Sequence, residues 1–433
     1  MVLFTPLVLC TAWFAWFAHA TGRTHNGHTA AARLSLIPSP YTTGKKFPSS
    51  PRRKRHCFVD ALGNGQDDAP QIIEAVKSCN NGGTVALLDP LYIIGSVMDL
   101  RGLEAIDFDI QGILQFTNDT EYWASHSFQY TFQGANTMIA IGGKDVNVFG
   151  SGKGGFDAQG QVWWDRFARN SSLNRPMFIS WDGLDGATIS GLNLYNPPNW
   201  FQWITDCKDV IFDGLNIIVK VSGANGPKNT DGYDTFRSDN IVVQNSVIVN
   251  TDDCVALKPN STNMVFQNLT CTGSHGMTVG SLGQYENEID IVENILFYNT
   301  HMINSTIGAR IKVWSGVDPS VPNNGASGGG LGRVHNVTYD KMLIENVDAS
   351  ISLTQCYGAP SNAYCNQFPS NMTMVDITYK DISGKTSKKT DPRVGDLICS
   401  TPNRKGSYLD LHQSRQESPP WLELYSLELQ QFM

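Results

Sequence analysis

The segment DNIVVQNSVIVN, residues 239–250, decides the fold of this chain. It is a polar turn followed by alternating β-branched residues and a further Asn. Related phrases begin at Asp185, Asp209, Asn240, Asn263, Asn294 and Asn336, so that the chain returns to the same phrase at intervals of 24, 31, 23, 31 and 42 residues. A period of about 20 to 30 residues with irregular insertions is typical of a solenoid.

The repeats are made of strands and not of helices. Their apolar residues alternate with a period of two, and Gly, Asn and Thr are frequent at the turns. The sequence therefore predicts an all-β fold, a parallel β-helix whose coils stack about 4.8 Å apart. One short helix is predicted at residues 71–77 (QIIEAVK), where it would cap the N-terminal end and protect its edge strands.

Composition limits the partners of this 433-residue chain. Its 32 Lys and Arg residues against 40 Asp and Glu residues give a net charge of -8, so no basic field exists to hold a polyanion. Nucleic acid is therefore not an expected partner. Charged residues make up 17% of the chain and 40 residues are Gly, which indicates a large, turn-rich and well-buried protein.

The N-terminal region has the features of a secreted protein. Residues 1–20 are apolar and end in Ala18-His19-Ala20, a small-x-small pattern that predicts a signal peptide. The alternative of a membrane anchor is disfavoured because the run is short and contains Pro6. Residues 21–55 end in a basic run, which predicts a disordered pro-segment processed after Lys54-Arg55. We expect a folded domain over residues 56–394.

Cysteines and sequons agree with secretion, where disulfides are stable. Without Cys10 eight cysteines remain; Cys207 is predicted to be a buried free thiol, and Cys399 has no clear partner. The pairs at short separation, which we expect to be disulfides, are Cys57 with Cys79, Cys254 with Cys271, and Cys356 with Cys365. The sequons that predict N-glycosylation begin at Asn118, Asn170, Asn260, Asn268, Asn304, Asn336 and Asn371.

Stacking turns the sequence period into spatial proximity. The NTDG segment at residues 229–232 lies one coil before the Asp252-Asp253 pair, and His275 follows that pair by one further coil. The next coil carries Arg310 and Lys312, which point to one face because side chains alternate along a strand. We therefore expect three carboxylates, one imidazole and two cations along one groove.

Each of these residues also has a structural interpretation. Asp231 could form a turn, Asp252 and Asp253 could be a solvated turn or a calcium site, His275 could cap a turn, and Arg310 with Lys312 could solubilise a strand. Their joint spacing on consecutive coils favours chemistry. Crowded carboxylates raise one another's pKa, so that one stays protonated as an acid while another stays ionised as a base, as glycoside hydrolysis needs.

At these residues the chain resembles the polygalacturonases, glycoside hydrolase family 28. The matching motifs are NTDG at 229–232, DD at 252–253, HG at 275–276, RIK at 310–312 and Tyr357 in TQCYG, and the likeness runs from about Cys57 to Asp391. The phrases DGYDTFRSDNIVVQNS, KPNSTN and GSHGMTVGSLGQY are similar to the fungal exo-acting members. The resemblance implies a right-handed parallel β-helix, no cofactor or metal, and inversion at the sugar.

The resemblance also implies a role for each site residue. Asp252 is expected to be the general acid, with Asp231 and Asp253 holding and deprotonating the attacking water and His275 supporting the acid. Inversion predicts a carboxyl separation of about 6.5 to 9.5 Å. The residues expected to bind galacturonate are Asn229, Arg310, Lys312 and Tyr357.

The expected function is release of galacturonic acid from the non-reducing end of polygalacturonan in pectin, by a secreted monomer. Insertions at residues 222–228, 284–289 and 314–332 are predicted to close the groove for end-on attack. The alternatives are a xylogalacturonan hydrolase, an endo-polygalacturonase, a calcium-dependent pectate lyase and a non-catalytic carbohydrate-binding solenoid.

The C-terminal residues 395–433 depart from the pattern of the family. They lack the alternating apolar residues and the late cysteine expected in the last coils. We expect an atypical tail that is foreign to the native protein and comes from an unremoved intron or a frameshift.

Overall fold

The fold is a right-handed parallel β-helix, as the sequence predicts. A computed structural model describes residues 47–321, 325 and 327–401 in full, and the backbone of 410–414 and 425–430. The predicted signal peptide and residues 21–46 of the predicted pro-segment lie outside the described residues. In the part of the chain that the structure describes, no helix has both the length and the apolar character needed to cross a membrane.

The strands follow one another along the coils. In the N-terminal coils they are β1 (Arg55–Val59), β2 (Gly83–Leu87), β3 (Leu91–Ile94), β4 (Met98–Ile110), β5 (Ile113–Phe116), β6 (Phe128–Gln129), β7 (Asn136–Phe149), β8 (Gly155–Asp157) and β9 (Met177–Ser190). In the middle coils they are β10 (Asn193–Tyr195), β11 (Gln202–Thr205), β12 (Lys208–Asp213), β13 (Asn216–Ile218), β14 (Tyr233–Phe236), β15 (Ser238–Gln244), β16 (Val247–Val249), β17 (Val255–Leu257) and β18 (Ser261–Thr272).

The remaining strands complete the solenoid and its C-terminal end. They are β19 (Met277–Leu282), β20 (Ile289–Ile303), β21 (Ile307–Trp314), β22 (Leu331–Val347), β23 (Ala349–Tyr357), β24 (Asn371–Thr386), β25 (Gly395–Ile398), β26 (Asp410–Ser414) and β27 (Tyr425–Gln430). The helices are α1 (Ala69–Cys79), α2 (Thr120–His126), α3 (Gln161–Arg169) and α4 (Asn362–Gln367), and a 3-10 turn covers Phe132–Gly134.

The register of the strands follows the period read from the sequence. Strands β9, β12, β15, β18, β20 and β22 stack in parallel. Val210 lies opposite Ile241, and Ile241 lies opposite Met264, which reproduces the second and third intervals between the phrases. The first interval is one residue shorter than predicted, because Lys208 pairs with Asp185 and so Asp209 lies opposite Gly186 and not opposite Asp185.

A column of left-handed residues explains why each phrase begins with Asn, Asp or Gly. Its members have φ between 48° and 103°, a region that these residue types tolerate best; they are Gly82, Ala105, Asp145, Gly186, Asp209, Asn240, Asn263, Asn294, Asn336 and Asp376. Side-chain amides link successive coils along it: Asn240 Nδ2 donates to Asp209 Oδ1 (2.6 Å), and Asn336 Nδ2 donates to Asn294 Oδ1 (2.8 Å).

The interior is filled by apolar side chains that stack from coil to coil. Phe266, Phe297, Tyr339 and Tyr379 form one continuous column with ring centroids 5.2, 4.6 and 5.2 Å apart. Such stacking is the consequence of strand register, because the same position recurs on every coil. The exterior is left for loops, and there the polar clusters of the sequence analysis come together.

The predicted capping helix is confirmed and is longer than expected. Helix α1 begins at Ala69 and packs its buried residues Ile72 and Val76 over the first strands. The disulfide between Cys57 and Cys79 ties the end of α1 to β1.

The other two predicted disulfides are also confirmed. They join Cys254 to Cys271 and Cys356 to Cys365. Cys207 is a buried free thiol, as predicted, and Cys399 is half-buried and free.

Residues 47–55 correct the predicted start of the domain. The sequence analysis assigned them to a disordered pro-segment, but Arg53 is only 6% exposed and its guanidinium contacts Asp107 (2.9 Å) and Asp145 (2.8 Å). Phe47 packs on an outer apolar cluster of β15, β18 and β20. Ion pairs with two carboxylates on distant strands therefore hold Arg53 in the folded domain, although the sequence alone assigned it to a processing site.

The C-terminal boundary also differs from the expected one. Strand β25 pairs in parallel with β23, so the solenoid continues past residue 394 to Ile398. Strands β26 and β27 pair with each other in antiparallel fashion, and β27 pairs with β24. The foreign origin of residues 395–433 stays a prediction.

The predicted glycosylation sites lie at the surface to different degrees. Asn371 is partly buried and donates through Nδ2 to the carbonyl of Gly329. The exposed sites are Asn118, Asn170, Asn260, Asn268, Asn304 and Asn336. Glycan attachment at all seven stays a prediction.

Candidate active site

One stack of four strands positions the polar cluster. Strands β14, β17, β19 and β21 pair in parallel, with Tyr233 opposite Val255 and Val255 opposite Met277. The segments that lead into the first three strands carry Asp231, the Asp252-Asp253 pair and His275, and β21 itself carries Arg310 and Lys312. The structure therefore brings together the residues that the sequence analysis placed in one column.

The structure brings the three carboxyl groups together. One oxygen each of Asp231, Asp252 and Asp253 lies within 4.8 Å of the others. Stacking of adjacent coils, about 4.8 Å apart, brings Asp231 to the Asp252-Asp253 pair. The nearest oxygens do not give the distance between acid and base across a bound sugar, so the separation of about 6.5 to 9.5 Å stays a prediction.

Asp253 is the most firmly held of the three. It is 1% exposed; its Oδ2 accepts from Lys312 Nζ at 2.7 Å, and its Oδ1 accepts from Thr278 Oγ1 at 2.7 Å and Arg310 Nη1 at 3.3 Å. Burial by itself raises the pKa of Asp253, but the charges of Lys312 and Arg310 lower that pKa to about 2. Asp253 is therefore a carboxylate at any working pH.

These ion pairs differ from the expected use of Arg310 and Lys312. The sequence analysis expected both to bind the substrate, whereas the structure directs both at Asp253. Lys312 is 7% exposed and lies 5.6 Å from the centre of the Tyr357 ring. A buried ammonium that already pairs with an aspartate sets the charge of that aspartate before any ligand arrives.

Asp252 lies closer to solvent and has a different set of partners. Its side chain is 19% exposed. Its Oδ1 accepts from the backbone N–H of Asp253 (2.9 Å) and lies 3.1 Å from His275 Nδ1, and its Oδ2 accepts from Asn229 Nδ2 (3.3 Å). The hydrogen bond to Asp252 raises the pKa of His275, so the imidazole keeps its proton to higher pH than a free histidine does.

Asp231 is buried among other charged groups and has few hydrogen bonds. It is 4% exposed, and its Oδ1 has no hydrogen-bond partner among the described residues. Burial raises the pKa of Asp231 well above its ordinary value, and the charges of Asp234 and Asp252 raise it further. Asp231 therefore holds a proton where Asp253 does not.

A model of glycosyl hydrolases family 28 matches residues 93–405 of the chain. The chain belongs to glycosyl hydrolase family 28. A probable exopolygalacturonase X of Neosartorya fischeri is 51% identical over 357 residues, which are 82% of this chain and 82% of that protein. An exopolygalacturonase of Cochliobolus carbonum is 47% identical over 399 residues, 92% of this chain and 89% of that protein.

Solved structures of family 28 proteins share the fold. The endo-xylogalacturonan hydrolase from Aspergillus tubingensis aligns with a TM-score of 0.72 and 34% identity, covering 81% of this chain and 90% of that one. The polygalacturonase from Erwinia carotovora aligns with a TM-score of 0.56 and 18% identity, covering 82% of this chain and 98% of that one. The second likeness supports the β-helix alone.

Sequence reasoning missed a buried ion pair beneath the family 28 site. Lys258 Nζ lies 3.3 Å from Asp234 Oδ1, and the two side chains are 8% and 0% exposed. Lys258 also lies 4.9 Å from the centre of the Trp200 ring. Burial raises the pKa of Asp234 to about 7 in spite of the nearby lysine. The sequence offered one signal for this ion pair, because Lys258 stands in the apolar run CVALKP at residues 254–259 and a buried lysine needs a partner.

The groove of this family 28 protein is bounded by loops, of which two were predicted to close it. Residues 222–228 dock on α3, where Gln161 Nε2 donates to the carbonyl of Asn225. In the insertion at residues 284–289, Gln284 Oε1 accepts from Gln133 Nε2 at 3.0 Å. The third predicted insertion, residues 314–332, includes residues 322–324 and 326, which lie outside the described residues.

The loop that carries Gln133 was not predicted to take part. It joins β6 to β7, and its Phe132 ring stacks on Trp203 and contacts Phe236. Residues Gln133 and Gly134 line two cavities, one of about 290 Å³ beside Asn229 and one of about 580 Å³ beside Arg237. The loop therefore borders both the cavity that Asn229 lines and the cavity beside Arg237.

Proposed function

We propose that this protein is an exo-polygalacturonase that releases galacturonic acid from the non-reducing end of polygalacturonan, with inversion at the sugar. The observation that carries the proposal is the pairing of two adjacent aspartates with opposite surroundings. Asp253 is buried and held ionised by two cations, and Asp252 faces the groove. Names of relatives at 47–51% identity over most of the chain support the same activity.

In the proposed reaction Asp252 protonates the glycosidic oxygen. It is the more exposed of the pair, and a general acid must reach the leaving oxygen directly. Asn229 and His275 hold its two oxygens, and this fixes the direction of the carboxyl group. Because His275 Nδ1 contacts Asp252 Oδ1, we assign His275 no direct proton transfer to the sugar.

Asp253 is proposed to hold and deprotonate the attacking water. Its ionised state suits a base, and its burial behind Asp252 disfavours a role as covalent nucleophile, because a nucleophile must contact the anomeric carbon. One oxygen of Asp231 lies within 4.8 Å of an oxygen of Asp253, and Asp231 keeps its proton, so it can orient the water as a donor or acceptor.

The exo mode is supported by a wall across the groove, which we define as the two loops joined by Gln133 and Gln284. The Gln133–Gln284 hydrogen bond joins the β6–β7 loop to the loop after β19, beside the cavity that Asn229 lines. A polymer that cannot pass this wall presents only its end to Asp252. We further propose that the protein is secreted and acts as a monomer; the three disulfides and seven sequons support secretion.

Product analysis on polygalacturonic acid tests the proposal. We expect galacturonic acid as the sole early product, with viscosity falling slowly as reducing ends accumulate, and the β anomer appearing first by NMR. Early di- and trigalacturonides would show an endo-acting enzyme, and an unsaturated product lost on chelation would show a lyase.

One structural relative favours a second candidate. The endo-xylogalacturonan hydrolase aligns with 34% identity over 81% of this chain, so xylogalacturonan is a competing substrate. Faster hydrolysis of xylogalacturonan than of linear polygalacturonic acid would favour this candidate.

A further inference from the structure

Arg175 is a buried cation whose described surroundings hold no carboxylate within ion-pair distance. The residue is 5% exposed, and its guanidinium lies 3.8 Å from the centre of the Phe167 ring. By contrast, Arg53, Arg237 and Arg310 each contact at least one aspartate. A charge buried without a counter-ion is costly, and burial lowers the pKa of Arg175 to about 10.

The hydrogen bonds of Arg175 leave part of its guanidinium available. Nη1 donates to the carbonyls of Pro198 and Lys228, both at 2.7 Å, and Nη2 donates to Asn229 Oδ1 at 2.8 Å. Arginine has five N–H donors, so the Nε–H and one Nη2–H have no acceptor among the described residues. Nε and Nη2 are the nitrogens with which Arg101 and Arg237 of this chain hold carboxylates.

Arg175 lines the cavity of about 290 Å³ behind the wall. The same cavity is lined by Asn229, whose Nδ2 contacts Asp252 Oδ2, so it adjoins the proposed acid. Arg175 precedes β9, three strands before β17 in the stack, whereas Arg310 and Lys312 lie on β21, two strands after it. The cavity is therefore on the opposite side of Asp252 from those two cations.

We propose that this cavity holds the terminal non-reducing sugar of the substrate and that Arg175 binds the carboxylate of that sugar. The inference rests on the proposed function, because only an acidic sugar supplies the counter-ion. Arg175 suits this role because no aspartate or glutamate among the described residues forms an ion pair with it. Release of a single sugar would follow from the proposal, since Gln133, which bonds to Gln284 in the wall, lines this cavity.

Substrates that differ only at the terminal carboxyl provide the test. Trigalacturonate is compared with the same trisaccharide methyl-esterified on its non-reducing residue alone. For the unmodified protein we expect kcat/KM to fall about tenfold or more on esterification. Arg175→Gln should hydrolyse the two substrates at similar rates, and Arg175→Lys should keep part of the preference.

Arg237→Gln is the matched control. It removes a guanidinium from the rim of the neighbouring cavity, where Arg237 already pairs with Asp206, and we expect the full preference for the free acid to remain. A preference that persists in Arg175→Gln would overturn the inference and leave Arg175 as a clamp that orients Asn229.

A binding measurement separates this inference from the proposed function. Calorimetry with galacturonic acid and with galactose does not depend on turnover, so it gives an answer even if no substrate is hydrolysed. We expect galacturonic acid to bind at least about tenfold more tightly than galactose, with the difference lost in Arg175→Gln and retained in part in Arg175→Lys. Equal binding of both sugars by the unmodified protein refutes the role of Arg175, whereas absence of hydrolysis with selective binding refutes only the reaction.

Discussion

Asp252 and Asp253 are neighbours in the sequence with opposite environments. The Asp252 side chain is 19% exposed and contacts an amide and an imidazole, whereas Asp253 is 1% exposed and contacts two cations. The two residues lie in the bend that leads into β17, where Asp253 points at Lys312 and Arg310 of β21 and Asp252 points at Asn229 and His275. The proposed acid and base therefore come from one dipeptide.

Asp252→Asn should remove the proton donor and preserve the shape of the site. We expect kcat to fall by about 10²-fold to 10⁴-fold with little change in KM, because the amide keeps the contacts with Asn229 and His275. Initial rates on polygalacturonic acid measure the effect. Asp376→Asn, which changes an exposed carboxyl paired with His335, is the control and should keep its activity. A kcat for Asp252→Asn within threefold of the unmodified value would remove Asp252 from the role of acid.

Lys312→Ala should act mainly through Asp253. Without the ammonium 2.7 Å away, the pKa of Asp253 rises towards the value that burial favours, so the acid limb of the pH–kcat profile should move to higher pH. Loss of one partner of a buried pair should also lower the free energy of unfolding by about 3 to 5 kcal/mol.

The control for Lys312→Ala is Lys341→Ala, an exposed lysine on β22 that contacts Tyr298. Its pH profile should match that of the unmodified protein. If Lys312→Ala raises KM and leaves the pH profile in place, Lys312 binds the substrate, as the sequence analysis expected.

At the level of elements, the left-handed column determines where each strand begins. Asn294 has φ of 61°; its Nδ2 donates to Asn263 Oδ1 at 3.1 Å, and its Oδ1 accepts from Asn336. The amide thus favours the turn and ties three coils together. The same column begins each of the phrases from which the period was read, except the first, where it passes through Gly186 and not Asp185.

Asn294→Ala should destabilise the solenoid more than Asn294→Gly. Alanine loses both side-chain hydrogen bonds and also pays about 1 to 2 kcal/mol for the left-handed backbone, whereas glycine adopts that backbone freely. We expect losses of about 2 to 4 kcal/mol for alanine and about 1 to 2 kcal/mol for glycine in urea unfolding. Equal losses for the two variants would mean that the backbone conformation contributes nothing.

At the scale of the whole molecule, buried carboxyl groups make stability depend on pH. Burial raises the pKa of Asp234 to about 7 and that of Asp290 to about 6, and it raises the pKa of Asp231 strongly. In the unfolded chain these groups lose their protons near pH 4. Between about pH 4 and 7 the native state therefore binds more protons than the unfolded state, and stability must fall as pH rises.

Asp253 has the opposite effect at lower pH. Its pKa of about 2 lies below the unfolded value, so its contribution is complete above about pH 4 and is lost as pH falls towards 2. The two effects together predict greatest stability near pH 4. Urea unfolding at pH 3, 4, 5.5 and 7 measures it, and Asp234→Asn should flatten the decline above pH 4. A stability that rises from pH 4 to 7 would contradict the prediction.

The sequence by itself determined the β-helix, its period, its capping helix, its three disulfides and the grouping of Asp231, Asp252, Asp253 and His275. These features depend on local patterns repeated at a fixed interval, and stacking in parallel register converts the interval into proximity. One error of register, at Asp185, arose because glycine and aspartate both suit a left-handed turn.

Only the tertiary structure decided which charges are paired and which are not. Lys312 reaches Asp253 across 59 residues, Arg53 reaches Asp145 across 92 residues, and Gln133 reaches Gln284 across 151 residues. Periodicity places residues on a face of the solenoid but does not say how far a long side chain extends or which loop folds back over it. For that reason the sequence placed Arg310 and Lys312 in the groove but did not show that both contact Asp253, or that Arg175 has no carboxylate within ion-pair distance among the described residues.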